Sequence, residues 1–285
     1  MVKIQLENVC YTYGPGTPFA KAALKNVSLS VEAGRITGII GHTGSGKSTL
    51  VRMFNGLLSP DSGRVLLDGV DINADKKALS SVRCRVGLVM QYPEYQLFDE
   101  TVEKDIAFGP RNMGLPPEEI AARVREAAGF TGLGEEILSK SPFDLSGGQK
   151  RRVAIAGILA MKPEVLVLDE PAAGLDPKGR REILGGLVRY RDTTGAAVVI
   201  VSHNMEDMAS YADRIVVLRK AETAFEGAPA EVFARRRELE ENGLDVPDAV
   251  RIADKLRERG VPVPEEICTV EEEAAYLSRL LSLQK

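Results

Sequence analysis

An apolar run that empties into glycines constrains this chain more than any other feature. Arg35-Ile36-Thr37-Gly38-Ile39-Ile40 reads as a short buried strand, and Gly41-His42-Thr43-Gly44-Ser45-Gly46-Lys47-Ser48-Thr49 comes directly after it. From Ser48 to Leu58 a helix is expected, with Leu50, Val51, Phe54 and Leu58 near one face. Strand, glycine turn and helix in that order make a phosphate-binding loop. Its successive N–H groups and the helix N-terminus form a concave, electropositive seat for phosphate oxygens. Gly41, Gly44 and Gly46 permit tight turns and a close backbone approach that a Cβ would obstruct. Lys47 is then expected to reach the β- and γ-phosphates, and Ser48 to coordinate Mg²⁺. His42 occupies a variable position of the loop, and no chemistry is expected of its side chain.

The rest of the chain alternates in a way that suits such a loop. Ile4, Leu6 and Val9 are spaced for an edge or outer strand, and Leu24, Val27, Leu29 and Val31 for another after the Gly14 to Pro18 loop. Strands are expected at Val65 to Leu67, Val86 to Met90, Val165 to Leu168, Ala197 to Val201 and Ile215 to Leu218. Helices are expected at Gly148 to Met161, Lys178 to Asp192 and Met205 to Tyr211. This order calls for a mostly parallel sheet with helices on both faces. From Thr101 to roughly Ser141 strand character is lost, so a helical subdomain within about residues 100–160 interrupts the α/β core. Residues 1–228 then form one domain and residues 229–285 a C-terminal helical extension. Three helices are read there, at Glu231 to Glu241, Val246 to Arg259 and Val270 to Leu283. Val270, Ala274, Leu277 and Leu281 share a side of the last, which either caps its own domain or serves as a docking face.

A second element addresses the metal and the water. Val165-Leu166-Val167-Leu168 delivers Asp169 and Glu170 at its C-terminal end, where open α/β sheets place their ligands. Asp169 is expected to hold Mg²⁺ through its water shell, and Glu170 to orient the attacking water. A net charge of −4 argues against broad affinity for nucleic acid. Cys10, Cys84 and Cys268 have no metal-ligand or redox spacing, and no apolar stretch approaches the 18 residues of a membrane span. Any membrane involvement must come through partners.

With these residues in order, the sequence resembles the ABC-transporter ATPases over roughly its first 225 residues. Leu145-Ser146-Gly147-Gly148-Gln149 is similar to the signature that sets this family apart from other P-loop proteins. The resemblance implies a P-loop NTPase fold of the ABC ATPase type, with the inserted helical subdomain and the C-terminal extension. It implies an ATPase that binds ATP and Mg²⁺, and in which Ser146, Gly147, Gly148 and Gln149 of one subunit close on the nucleotide of another. Gln91 matches the Q-loop glutamine that touches the metal or water. His203 matches the switch histidine that contacts the γ-phosphate and steadies the catalytic glutamate. Ala173 to Asp176 matches the D-loop that crosses the dimer interface. Tyr13, rather than its neighbour Tyr11, matches the aromatic residue that stacks on adenine. The catalytic set so implied is Lys47, Gln91, Glu170 and His203.

Within that family the chain resembles the energy-coupling factor type, through Gln91 to Phe98, Thr101 to Gly109, the Gly14 to Ala23 insertion and the C-terminal helices. This resemblance implies a peripheral subunit on the cytoplasmic face of the membrane. It would pair with a second, non-identical ATPase and dock on a transmembrane coupling protein shared by substrate-binding membrane subunits for vitamins or for cobalt or nickel ions. Tyr92, Tyr95 and Phe98, with Glu94 or Asp99, either receive a helix of that coupling protein or pack the two subdomains together. The rival readings are an ABC ATPase of DNA maintenance or translation, the ATPase of another ABC transporter, and a regulatory subunit that binds ATP without hydrolysing it.

Overall fold

The computed structural model describes residues 1–75 and 79–282. Two sheets share one core. The first is antiparallel, in the order β2-β1-β4-β5, from β1 (Val2–Tyr13), β2 (Lys21–Glu32), β4 (Ser62–Leu67) and β5 (Val70–Asp71). The second runs β10-β9-β3-β8-β7-β6. In it β3 (Ile36–Gly41), β6 (Val86–Val89), β7 (Val165–Asp169), β8 (Ala197–Val201) and β9 (Arg214–Arg219) pair in parallel, and β10 (Glu222–Gly227) closes one edge antiparallel to β9. Strand β1, expected as an edge or outer strand, is not an edge: it lies in the antiparallel sheet flanked by β2 and β4.

Both faces of the parallel sheet are buried, which explains its unbroken apolar strands. Val165, Val167, Val199 and Val201 point into a cluster shared with Leu6, Val9 and Val31 of the antiparallel sheet and with Leu50 and Phe54 of α1 (Lys47–Phe54). Leu166, Leu168, Val198 and Ile200 point the other way, into a cluster that includes residues of α6 (Gly147–Leu159), α7 (Pro177–Thr194) and α8 (Met205–Tyr211). Helices thus lie on both faces as expected, and on one of them α1 shares its place with the second sheet. Between β5 and β6 lies α2 (Leu79–Arg85). The helices α3 (Val102–Asn112), α4 (Pro117–Thr131) and α5 (Glu135–Leu138) lie between β6 and α6, and α3 and α4 pack on α6.

Local chemistry sets where elements stop. Helix α1 ends four residues before the expected Leu58, because Gly56 enters the left-handed region at φ 68° and the N–H groups of Leu57 and Leu58 return to Arg52 O. Strand β10 carries no apolar run. It pairs with β9 through Lys220 and Ala221, both at positive φ, a two-residue hairpin turn without the usual Asn-Gly. The single helix expected from Glu231 to Glu241 is two, α9 (Pro229–Phe233) and α10 (Arg236–Glu241). After them come α11 (Asp248–Glu258) and α12 (Val270–Ser282); Leu283, the expected last residue, lies outside the described residues. Phe233, Leu239, Leu244, Val246, Val250 and Cys268 join the same buried cluster as Ile215 and Val217 of β9, so the extension is packed onto the core. On α12 the Val270, Ala274 and Leu281 side chains of the expected stripe are exposed and Leu277 is half-buried.

Candidate functional site

The loop of residues 41–49 takes its shape from contacts that only glycine satisfies. A Cβ on Gly41 would stand 2.5 Å from Leu218 O, and one on Gly46, at φ 109°, would stand 2.4 Å from Ala23 O. Gly46 caps α1 without any side-chain hydrogen bond, so the first N–H groups of that helix face the cleft uncapped. Lys47 reaches back over the loop, its Nζ donating to Gly41 O at 2.5 Å and His42 O at 3.1 Å. Burial lowers its pKa, against the pull of the Glu170 and Asp169 charges. Ser45 belongs to the expected phosphate seat through its backbone, and its side chain turns away from the cleft. It is fully buried beneath the loop, and its Oγ has no hydrogen-bond partner among the described residues.

Parallel pairing of β7 and β8 brings the acidic pair and the histidine together. Asp169 is buried, and its Oδ2 accepts from Ser48 Oγ at 3.2 Å; burial pushes its carboxyl up, and the Ser48 hydrogen bond and Lys47 oppose the shift. Among the described residues no cluster of three or more His, Cys, Asp or Glu could hold a metal by itself. One carboxylate, one hydroxyl and phosphate oxygens instead form the hard oxygen set that Mg²⁺ takes in nucleotide sites, so the residues present fit that ion. Glu170 sits at φ 55°, a left-handed backbone that costs a non-glycine residue about 1 kcal/mol or more. Its N–H donates to Val201 O at 2.9 Å, which holds it against β8, and its Oε1 lies 2.6 Å from His203 Nδ1.

One cleft of about 890 Å³ is lined by Tyr13, Gly41, His42, Thr43, Gly44, Gly46, Lys47, Ser48, Thr49, Gln91, Asp169, Glu170 and His203. Tyr13 stands at its rim, its hydroxyl 3.2 Å from Thr49 Oγ1 and its ring edge-on to Tyr11. Ser146, Gly148, Gln149 and Asp176 line a different cleft, of about 300 Å³. There Ser146 and Gln149 bond reciprocally at the start of α6: Gln149 N–H donates to Ser146 Oγ at 3.3 Å, and Ser146 N–H to Gln149 Oε1 at 3.0 Å. Asp176 caps α7, accepting from Gly179 N–H at 3.0 Å, and a Cβ on Gly147 would meet nothing within 4 Å. The two groups of predicted residues are each assembled, but on separate surfaces.

Sequence reasoning overlooked Arg151. It is buried on α6, in line with Ile155 and Leu159, and that i, i+4, i+8 spacing was the available signal. Arg151 donates to both oxygens of Glu94, at 3.0 and 2.8 Å, and to Ala173 O. It thereby fastens together the 3-10 turn Pro93–Gln96, the signature helix and the loop after Glu170. Burial raises the Glu94 pKa, yet hydrogen bonds from Arg151 and the backbone outweigh it and hold the carboxyl below its ordinary range. Asp99 is likewise engaged, with Arg111 at 3.0 Å. Both acids are thus paired within the chain, so a partner's arginine would have to compete with Arg151 or Arg111 for them. Of the neighbouring aromatics, Phe98 meets Phe108 of α3 edge-on, its ring centroid 4.9 Å away, while Tyr92, Tyr95 and Phe98 all keep much of their surface exposed, Tyr95 at 85%. Also missed were Met205, Gly243, Leu244 and Asp245, which line the larger cleft although three of them belong to the C-terminal extension.

This geometry can be set beside known proteins. A family model described as ABC transporter matches residues 24–173. An overlapping match, at residues 139–208, is to a model described as AAA domain, putative AbiEii toxin, Type IV TA system. The energy-coupling factor transporter ATP-binding protein EcfA2 of Caldanaerobacter subterraneus subsp. tengcongensis is 52% identical over 278 residues, 98% of this chain and 97% of that protein. The chain belongs to the ABC transporter family, in its energy-coupling factor branch. The EcfA2 protein of Symbiobacterium thermophilum is 55% identical over 285 residues, covering 99% and 98% of the two chains. Among solved structures, cbiO1 of Clostridium perfringens, described as part of the ABC transporter complex cbiONQ, aligns with a TM-score of 0.75 and 40% identity over 84% of this chain and 94% of that one. An ATP-binding cassette solved as a dimer bound to ADP and Pi aligns with a TM-score of 0.72 and 31% identity, over 79% and 98%. These relatives set aside DNA maintenance and translation. The chain is an ATP-binding and hydrolysing subunit of the energy-coupling factor type. Among the described residues no helix is long and apolar enough to cross a membrane.

Proposed function

We propose that the chain binds MgATP in the larger cleft and hydrolyses it only when the Ser146 surface of a second, non-identical ATPase subunit closes on that cleft. The work done is uptake of a micronutrient, a vitamin or a cobalt or nickel ion, through a membrane transporter whose cytoplasmic face the subunit lines. The observation that carries this reading is the separation of Lys47, Glu170 and His203 from Ser146, Gly148 and Gln149 on two surfaces of one chain. The related cassette solved as a dimer with ADP and Pi supports it.

On this reading Lys47 leaves the carbonyls of Gly41 and His42 for the phosphates, and Tyr13 holds the adenine. Ser48, Asp169 and Gln91 would hold Mg²⁺, which supplies charge neutralisation at the phosphate oxygens. Glu170, fixed in the left-handed region and held by His203, orients the attacking water, and closure of the second subunit excludes bulk water. The start of α6, with Gly147 open to the outside, is the face offered to the other subunit's nucleotide. Tyr95 and Phe98 offer an exposed aromatic surface to the transmembrane coupling protein, which substrate-binding membrane subunits share. Residues 1–228 act as the nucleotide-binding domain, and the exposed α12 stripe of the 229–285 extension contributes to pairing.

Reconstituted uptake tests the reading. Native complex purified through this chain should contain a second ATPase and small hydrophobic membrane proteins. Glu170→Gln should bind ATP yet lower turnover at least about 100-fold, the size of losing a positioned base. Rapid ATP-driven uptake by the variant would exclude Glu170 from that role.

A further inference from the structure

Helix α11 begins without a cap of its own, since Pro247 stands at its N-cap and provides no side-chain acceptor. The acceptor comes instead from across the molecule. Glu206, in the first turn of α8, accepts the N–H of Asp248 at 2.7 Å through Oε1. A carboxylate at a helix N-terminus is favoured both as a hydrogen-bond acceptor and by the helix dipole. Glu206 lies three residues after His203, on the same short segment that leads from β8 into α8.

A second contact joins the same two parts. Leu244 and Met205 belong to one buried cluster, and both line the nucleotide cleft. The turn that carries Leu244 is itself well held. Gly243, at φ 67°, donates to Glu240 O and Leu244 to Leu239 O, while Asp245 pairs with Arg251. The extension therefore forms part of the cleft wall and grips the segment that presents His203 to Glu170.

We propose that Glu206 is a positioning residue through which the C-terminal extension sets His203 against Glu170. The inference rests on the proposed hydrolytic roles of those two residues. It makes the rate of hydrolysis depend on how the extension sits, so whatever binds the extension acts on the chemistry through α8.

The backbone offers a clean test. Pro247 has ψ 146°, the extended conformation that a following proline requires, and proline is favoured at the first residue of a helix. Asp248→Pro thus deletes the donated N–H while keeping α11, whereas Asp248→Ala keeps the N–H and removes only an exposed side chain with its surface ion pair to Arg251, which both variants lose. In the complete reconstituted transporter, Asp248→Pro and Glu206→Ala should lower kcat about tenfold, as expected for one lost hydrogen bond to a charged group, with KM for ATP within about twofold. Asp248→Ala should match the wild type, and Glu206→Gln, which keeps the acceptor without its charge, should lose clearly less than Glu206→Ala. Equal kcat for Asp248→Pro and Asp248→Ala would overturn the proposal, as would a loss in Glu206→Gln as large as in Glu206→Ala. If Asp248→Pro does not assemble, the two Glu206 variants decide. Full turnover by Glu170→Gln would instead overturn the hydrolytic roles themselves, an outcome read separately from the Glu206 series.

Discussion

Arg151→Met removes the charge from the residue that joins three parts of the catalytic apparatus, and its cost can be worked from the structure. The Arg151 side chain is 6% exposed and that of Glu94 17%. Breaking a buried ion pair from one side costs about 3–5 kcal/mol, because the remaining charge is left without its partner. Glu94 keeps some access to water, which places the loss near the lower end, about 3 kcal/mol. Unfolding entropy of about 2.1 cal/mol/K per residue amounts to about 0.6 kcal/mol/K for a chain this long, so Tm should fall by about 5 °C. Calorimetry of Arg151→Met, Glu94→Gln and the double variant measures both the loss and the coupling. The second substitution should cost at least about 1 kcal/mol less in the background of the first. A Tm within about 1 °C of wild type, or strictly additive losses, would refute the assignment of this pair as an internal brace.

Other parts of the molecule give two more expected outcomes. Tyr95→Ala should leave ATP binding intact but reduce recovery of the membrane complex, measured by co-purification; unchanged recovery would remove Tyr95 from the docking surface. Glu164 accepts hydrogen bonds from Arg85 at 2.6 Å and Lys3 at 2.8 Å, and chiefly the Arg85 bond lowers its pKa from 4.5 to about 2. The unfolded chain therefore takes up this proton first, so the stabilisation is present above about pH 4.5 and is lost as pH falls through about 2. The Tm difference between wild type and Glu164→Gln should narrow over that window, and a constant difference would contradict the linkage.

How much of this was legible beforehand depended on whether local patterns carried it. The nucleotide loop, the Asp169–Glu170 pair and His203 each close a buried strand, and a strand buried on both faces is an apolar run that any reading detects. Strand β10 was missed because its pattern is mostly polar and its turn uses Lys220 and Ala221, which carry no hairpin signature. The inward direction of the Ser45 side chain was not legible, because packing beneath the loop sets it and not its place in the motif. Glu94 looked available because acids on turns usually are, and only the fold brings buried Arg151 to it. The wall formed by Gly243, Leu244 and Asp245 had no sequence signal at all, since it depends on how the extension packs beside α8.

The central claim is that one chain holds half of each catalytic site, and a comparison of turnover in two states tests it most directly. ATP hydrolysis per nucleotide bound should be measured for the chain diluted to a verified monomer and for the same chain within the purified transporter. The account predicts ATP binding in both, with turnover confined to the assembled complex. Equal turnover by the monomer would show that Ser146 of a second subunit is not required, and would contradict the account.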